Sequence, residues 1–192
     1  RTTLRDALEE AAGWDVIHLS GHGEEGVLLL EDDAGHPDVI QAAELGDLLA
    51  PARDRLKLLI LDACYSAVGT HRAARAQVGL APDGEGRDAE DAPEETALPG
   101  LAQALAARLD CAALAMRYPV GDGFATDLML ALYEKLLDRR QPLPGALHQA
   151  LDDALAVEVD RAPLAPVTPI LVGPRAADLT LNPPRQPLVP ID

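Results

Sequence analysis

The sequence is poor in aromatic residues, which make up only 3% of its 192 residues, so the core must consist mainly of Leu, Ala, Val and Ile. Apolar residues still reach 48% and charged residues 25%, the balance of an ordinary soluble domain. This length predicts one domain with a single core. Because no apolar run reaches the about eighteen residues of a membrane span, we expect no membrane partner.

Basic side chains are scarce as well. Sixteen Lys and Arg residues stand against 32 Asp and Glu residues, which gives a formal net charge of −16. A negative field repels phosphate backbones, and no basic stripe opposes it, so direct nucleic-acid binding is not expected. A cationic peptide would be attracted to such a surface. The alternative is that the charge serves solubility alone.

Cysteine is represented only by Cys64 and Cys111. Two cysteines do not form a disulfide framework, and nothing near them has metal-ligand spacing. Reduced thiols in a cytoplasmic protein are the simplest interpretation, and no metal site is predicted.

Apolar runs alternate with segments of helical spacing along the chain. The pattern predicts helices at 2–12, 41–50, 99–109, 122–139 and 144–157, strands at 14–19, 56–64, 111–117 and 166–174, and two short strands around a turn within 27–40. Such alternation is typical of a layered α/β domain with a mostly parallel central sheet flanked by helices.

Residues 69–97 differ from the rest because they are rich in Gly, Pro, Asp and Glu and lack an apolar period. This composition predicts a mobile acidic loop. Three arginines lie in it and are candidate sites of self-cleavage: Arg72, Arg75 and Arg87. The alternative is an insertion without a role. We thus predict one domain over 1–182, followed by an extended Pro-rich tail at 183–192.

Reactive side chains follow two of the predicted strands. In the run WDVIHLSGHG, His22 lies shortly after the predicted strand. In LKLLILDACYSA, Cys64 lies at the end of the predicted strand. Ligands of open α/β sheets bind beyond the carboxyl ends of the strands. If the two strands are neighbours, a thiol and an imidazole meet there, which is the minimum set for covalent acyl transfer. Glycines flank His22, so a peptide backbone can approach the imidazole closely.

Small residues surround the candidate nucleophile, including Ala63 and Ser66. The backbone N–H groups of Gly23 and Cys64 are the natural candidates for an oxyanion hole.

The pairing of HLSGHG with LDACYSA resembles the CHAT family of caspase-like peptidase domains, which are often attached to tetratricopeptide repeats and are related to caspases, metacaspases, separase and the gingipains. AMRYPVGDGFATDLMLALYEKLLDRRQPLPGALHQAL and PVTPILVGP are similar to later segments of that family. The resemblance implies a caspase-like fold and a cysteine endopeptidase with His22 as base, Cys64 as nucleophile and no cofactor. It also implies a regulatory repeat or sensor domain elsewhere in a full-length protein.

Two features depart from the family pattern. Tyr118 stands where the family usually has Trp. The family fold also begins with two strands and a helix before the His-bearing strand, and this chain has no counterpart for them. We therefore expect the chain to be a fragment of a longer protein, with its N-terminal strands missing.

Asp62 lies two residues before Cys64, so strand alternation would put both side chains on one face. In metacaspases, which have D-S-C here, this Asp lines the pocket for a basic residue, so the resemblance implies substrate binding and cleavage of a protein or peptide after Arg or Lys. Many CHAT proteins have Asn instead. The alternatives are a hydrogen bond from a loop N–H to Asp62 and an apolar pocket.

Other titratable residues receive structural interpretations. We expect His18 to be buried and hydrogen-bonded, Cys111 to be structural, and Asp122 to cap the following helix. The remaining histidines have no evident acidic or cysteine companions and should face solvent: His36, His71 and His148.

Two other functions compete with the peptidase. A catalytically silent interaction domain could keep the fold, although a decayed site would be expected to have lost His22 or Cys64. A flavodoxin-like phosphate binder needs a Gly-rich phosphate loop, and GHGEEG is acidic and lacks the required spacing.

Overall fold

A computed structural model describes residues 2–10, 13–24, 26–32, 34–67, 100–119, 121–157 and 163–183. The predicted acidic loop with its three arginines, and all but the first residue of the predicted tail, lie outside these ranges. Strands are β1 Val16–Ser20, β2 His22–Glu24, β3 Val27–Glu31, β4 Pro37–Gln41, β5 Leu58–Asp62, β6 Ala112–Met116 and β7 Pro169–Val172. Helices are α1 Thr2–Glu10, α2 Ala42–Leu49, α3 Leu101–Leu109, α4 Asp122–Tyr133 and α5 Leu143–Val157.

The central sheet has the strand order β1-β5-β6-β7. The β1–β5 and β5–β6 pairs are parallel, and β7 runs antiparallel to β6. The predicted α/β fold with a mostly parallel central sheet is confirmed. The register of the first pair sets Ser20 beside Asp62, so β1 and β5 end at the same level.

A second, antiparallel sheet of three strands continues from β1 through Gly21. Its β3–β4 hairpin matches the two predicted short strands, and the Asp32 carboxylate accepts hydrogen bonds from two backbone N–H groups in the turn. Strand β2, which begins at His22, was not predicted. It is three residues long and has no apolar alternation, so its sequence carries no strand signal.

The central sheet is covered on both faces, and its residues divide the core into two layers. Leu59 and Leu61 of β5 pack in the layer with α2 and α3, whereas Leu58 and Ile60 pack in the layer with α4 and α5. A strand covered on both faces has a continuous apolar sequence, as LKLLILDAC does. The hydrophobic core therefore consists of two layers, one on each face of the central sheet.

Some element boundaries differ from the sequence predictions. Helix α2 ends at Leu49, within one residue of the predicted end, and a 3-10 turn, Ala50–Ala52, follows it with Pro51 in a position that needs no N–H donor. Asp122 is the first residue of α4 rather than its cap, which is Gly121 without a side-chain hydrogen bond. Helix α4 passes at Tyr133 into a π-helical turn, Glu134–Asp138. No described helix is long and apolar enough to span a membrane.

Ser66 ties the turn after β5 to the end of β6. Its buried hydroxyl donates a hydrogen bond to the Leu61 carbonyl at 3.0 Å and accepts one from the Met116 N–H at 3.0 Å. The Ser66 carbonyl in turn accepts a hydrogen bond from the Ala102 N–H in α3. One small polar residue therefore joins two strands and a helix beside Cys64.

We predict that Ser66→Ala lowers the free energy of unfolding by about 1–3 kcal/mol, because the Met116 N–H loses its partner in a buried position. Chemical denaturation measures this change. The control is Ser20→Ala, the same substitution at an exposed strand end, which should stay within about 0.5 kcal/mol. Equal effects of the two substitutions would contradict the role assigned to Ser66.

Candidate catalytic site

His22 and Cys64 follow adjacent parallel strands. The Gly21 N–H donates a hydrogen bond to the Asp62 carbonyl at 3.1 Å, which extends the β1–β5 pairing to the residue before His22. His22 is exposed at the start of β2, and Cys64 is half-buried in the turn that follows β5. The condition set in the sequence analysis, that the two strands be neighbours in the sheet, is met.

Gly23 is the point where the two loops touch. A Cβ added to Gly23 would lie 2.5 Å from the Cys64 carbonyl oxygen and 3.1 Å from the Ala63 Cβ. Only glycine permits such an approach. The residue next to His22 therefore rests on the backbone of the candidate nucleophile, which brings together the loops that carry the imidazole and the thiol.

The turn that carries Cys64 has an unusual backbone. Tyr65 has a φ of 57°, in the left-handed region, where a bulky residue is an outlier. The Ser66 N–H closes the turn on the Ala63 carbonyl at 3.2 Å. Strain held by surrounding contacts in this way is concentrated at functional sites. The sequence has no signal for it, because a left-handed tyrosine cannot be recognised from residue type.

Asp62 is the last residue of β5, and only 12% of its side chain is exposed. Burial raises the pKa of its carboxyl, an effect that His18 opposes and Asp122 reinforces. Strand alternation sets Asp62 on the α4 side of the sheet, together with Ile60. Alternation ends with the strand, so it does not determine the direction of the Cys64 side chain.

His18 is partly buried in β1 and hydrogen-bonded, as expected. Its Nδ1 lies 2.9 Å from the Tyr133 hydroxyl, and its Nε2 lies 4.0 Å from an Asp62 carboxylate oxygen. Desolvation lowers the pKa of His18, and the nearby carboxylate opposes that shift. Tyr133 was missed in the sequence because it lies 115 residues further along the chain.

The remaining cysteine and histidines lie away from these loops in the sequence. Cys111 is fully buried, and burial raises the pKa of its thiol to about 11, which agrees with a structural role. His36 and His148 are exposed as expected, but each has an acidic neighbour four residues away, Asp32 at 3.2 Å and Asp152 at 3.7 Å. His71 lies outside the described residues.

Among the described residues, no group of three or more His, Cys, Asp and Glu side chains is arranged to hold a metal ion.

The layered sheet and the two loops at its edge define a domain of caspase-like architecture. A sequence model of the CHAT domain matches residues 1–168, which is most of the chain, and the chain belongs to the CHAT domain family. That family is related to the caspase-like cysteine peptidases. No curated protein matches the sequence.

We predict that Gly23→Ala destabilises the fold by about 1–3 kcal/mol, because the new Cβ would overlap the backbone of Cys64. The matched control is Gly21→Ala, whose Cβ would meet only the Leu29 carbonyl oxygen, at an ordinary 3.7 Å. Urea unfolding compares the two. If Gly23→Ala proves as stable as Gly21→Ala, the two loops do not make the close contact described here.

Proposed function

We propose that this domain is a cysteine endopeptidase with Cys64 as nucleophile and His22 as general base. The observation that carries the proposal is the contact of Gly23, the neighbour of His22, with the Cys64 backbone. Membership of the CHAT family supports it. Thiol and imidazole on adjoining loops are the parts that acyl transfer requires.

The reaction follows from these two groups. His22 accepts the thiol proton, and the Cys64 thiolate attacks the peptide carbonyl carbon to form a tetrahedral oxyanion. The oxyanion collapses, the C–N bond breaks, and His22 returns the proton to the leaving amine. Water, deprotonated by His22, then hydrolyses the thioester and regenerates the thiol. No external oxidant, metal or organic cofactor takes part.

The oxyanion is held by backbone N–H groups in this proposal, those of Gly23 and Cys64. Their loops meet at the Cys64 carbonyl, so both groups belong to one small region of backbone. Preorganised donors of this kind stabilise charge as it develops, without moving during the reaction. The left-handed Tyr65 supports the idea that the Cys64 backbone is held in a set direction.

We predict that an iodoacetamide probe modifies Cys64 selectively and that Cys64→Ala lowers peptide turnover by at least about a thousand-fold. Cys111 should remain unmodified in the folded protein, because it is buried and its pKa is raised to about 11. Intact-mass and peptide mapping give the modified site.

The matched control for this experiment is Cys111→Ala, which should retain both turnover and labelling. Turnover that survives Cys64→Ala would contradict the proposal. A catalytically silent interaction domain predicts no turnover in the unchanged protein and only the slow labelling of Cys64 that is typical of an accessible thiol without an activating base.

Asp62 is the proposed substrate-binding residue. Its carboxylate is largely enclosed at the end of β5, one residue before the turn that carries Cys64. A cation that reached it would form charge-assisted hydrogen bonds in a poorly hydrated position, worth about 1.5–3 kcal/mol each. We therefore propose cleavage of protein or peptide substrates after Arg or Lys. The net charge of −16 adds a weaker, salt-screened attraction for basic peptides.

We predict that Asp62→Asn lowers kcat/KM for an Arg substrate by about ten- to a hundred-fold while changing that for a Leu substrate little. The control Asp54→Asn removes the same charge from the exposed turn before β5, at the other end of the strand. It should leave the ratio of kcat/KM for the Arg substrate to that for the Leu substrate unchanged. A fluorogenic panel with Arg, Lys, Leu and Asp before the reporter measures both. A best substrate with Leu or Asp there would contradict the specificity but not the dyad.

The setting of the domain is also a proposal. Both cysteines are free thiols, which fits a reducing, cytoplasmic compartment. Regulation by a repeat or sensor domain elsewhere in a full-length protein follows from the family resemblance.

A further inference from the structure

Three titratable side chains outside the dyad converge on the α4 side of the central sheet. His18 projects from β1, Asp62 from the end of β5, and Tyr133 from the last turn of α4. The Tyr133 hydroxyl lies 2.9 Å from His18 Nδ1, and His18 Nε2 lies 4.0 Å from the Asp62 carboxylate. The three side chains therefore form a row, Tyr133–His18–Asp62, that ends at the proposed substrate-binding carboxylate of Asp62.

The chemistry of the row selects one tautomer of His18. Its Nε2 is buried, has no hydrogen-bond partner among the described residues, and faces a carboxylate. An ionised carboxylate only accepts hydrogen bonds, so a lone pair on Nε2 would be repelled and an N–H would be attracted. With the proton on Nε2, Nδ1 must accept, and the Tyr133 hydroxyl donates to it. Burial raises the pKa of Tyr133, which keeps that hydroxyl protonated.

We propose that Tyr133 and His18 are positioning residues that direct an N–H towards Asp62 and so hold its carboxylate anionic and oriented to receive a cationic side chain. Tyr133 fixes the tautomer of His18, and the Nε2–H of that tautomer is directed at the Asp62 carboxylate. The hydrogen bond at one ring nitrogen of a histidine sets which nitrogen carries the proton, so the Tyr133 hydroxyl at Nδ1 leaves the N–H at Nε2. This inference rests on the proposed peptidase function in one respect only, the cationic substrate side chain that Asp62 would bind.

The charges around Asp62 explain why such support is needed. Burial is the main influence on the Asp62 carboxyl and raises its pKa, and Asp122 at the start of α4 raises the pKa further. A positive charge on His18 lowers it by attraction, and the Nε2–H of the neutral ring turns its positive end to the carboxylate and acts in the same direction. A carboxyl with a raised pKa loses its charge as the pH falls through that pKa. Preference for cationic substrates should therefore be present at neutral pH and be lost on acidification.

The test compares an Arg substrate with its neutral citrulline analogue in the full chain, from mildly acidic to mildly alkaline pH. His18→Asn, whose amide is too short to reach the Nε2 position, should lower the Arg-to-citrulline ratio about ten-fold at neutral pH and move its loss on acidification to higher pH. His18→Gln, whose amide N–H can take that position, should largely restore the ratio. Tyr133→Phe should also lower the Arg-to-citrulline ratio, because the His18 tautomer is then no longer fixed.

A second readout does not depend on turnover. Long-range ¹H–¹⁵N NMR of the His18 ring should show the proton on Nε2 at neutral pH, and Tyr133→Phe should populate the other tautomer. A proton on Nδ1 in the unchanged protein, or equal ratios in His18→Asn and His18→Gln, would overturn the inference. Absence of turnover with the Nε2–H tautomer intact would instead contradict the peptidase function and leave the positioning of Asp62 standing.

Discussion

The parallel pairing of β1 with β5 is the constraint on which the candidate site depends. It aligns Ser20 with Asp62, and the hydrogen bond from Gly21 to Asp62 extends the pairing beyond both strands. Two loops far apart in the sequence must then leave the sheet side by side. Once they do, Gly23 can lie against the Cys64 carbonyl, a contact that excludes any side chain larger than hydrogen.

Polar contacts hold the loop of Cys64 together with the buried Ala63 and Ala67. Ser66 joins the end of β5 to the end of β6 with two buried hydrogen bonds, and Tyr65 adopts a left-handed backbone beside it. Removal of a buried partner costs more than a typical hydrogen bond contributes, because the remaining group is left desolvated. The same enclosure affects Asp62, whose charge is disfavoured by burial and supported by His18. Stability and charge at this edge of the sheet therefore depend on neighbouring groups.

The central sheet and the β3–β4 hairpin could be predicted because the sequence patterns that indicate them are local. A strand covered on both faces needs a continuous apolar run, which LKLLILDAC has, and an antiparallel hairpin needs turn residues between short apolar runs, which the segment 27–40 has. Strand β2 could not be predicted in this way, because His22, Gly23 and Glu24 form a strand only through their pairing with β3. The cap of α4 differed, with Gly121 in place of Asp122, because caps depend on backbone geometry that propensity does not encode.

The sequence by itself determined the α/β class, the two strands that end near His22 and Cys64, and, through the family resemblance, the CHAT identity that the family comparison confirms. It did so because strand periodicity and the motifs around both residues are local. Only the tertiary structure decided that Gly23 contacts the Cys64 backbone, that Ser66 joins two strands, and that Tyr133 reaches His18 from 115 residues away. Those contacts arise from the sheet register and the packing of α4, which depend on the whole chain.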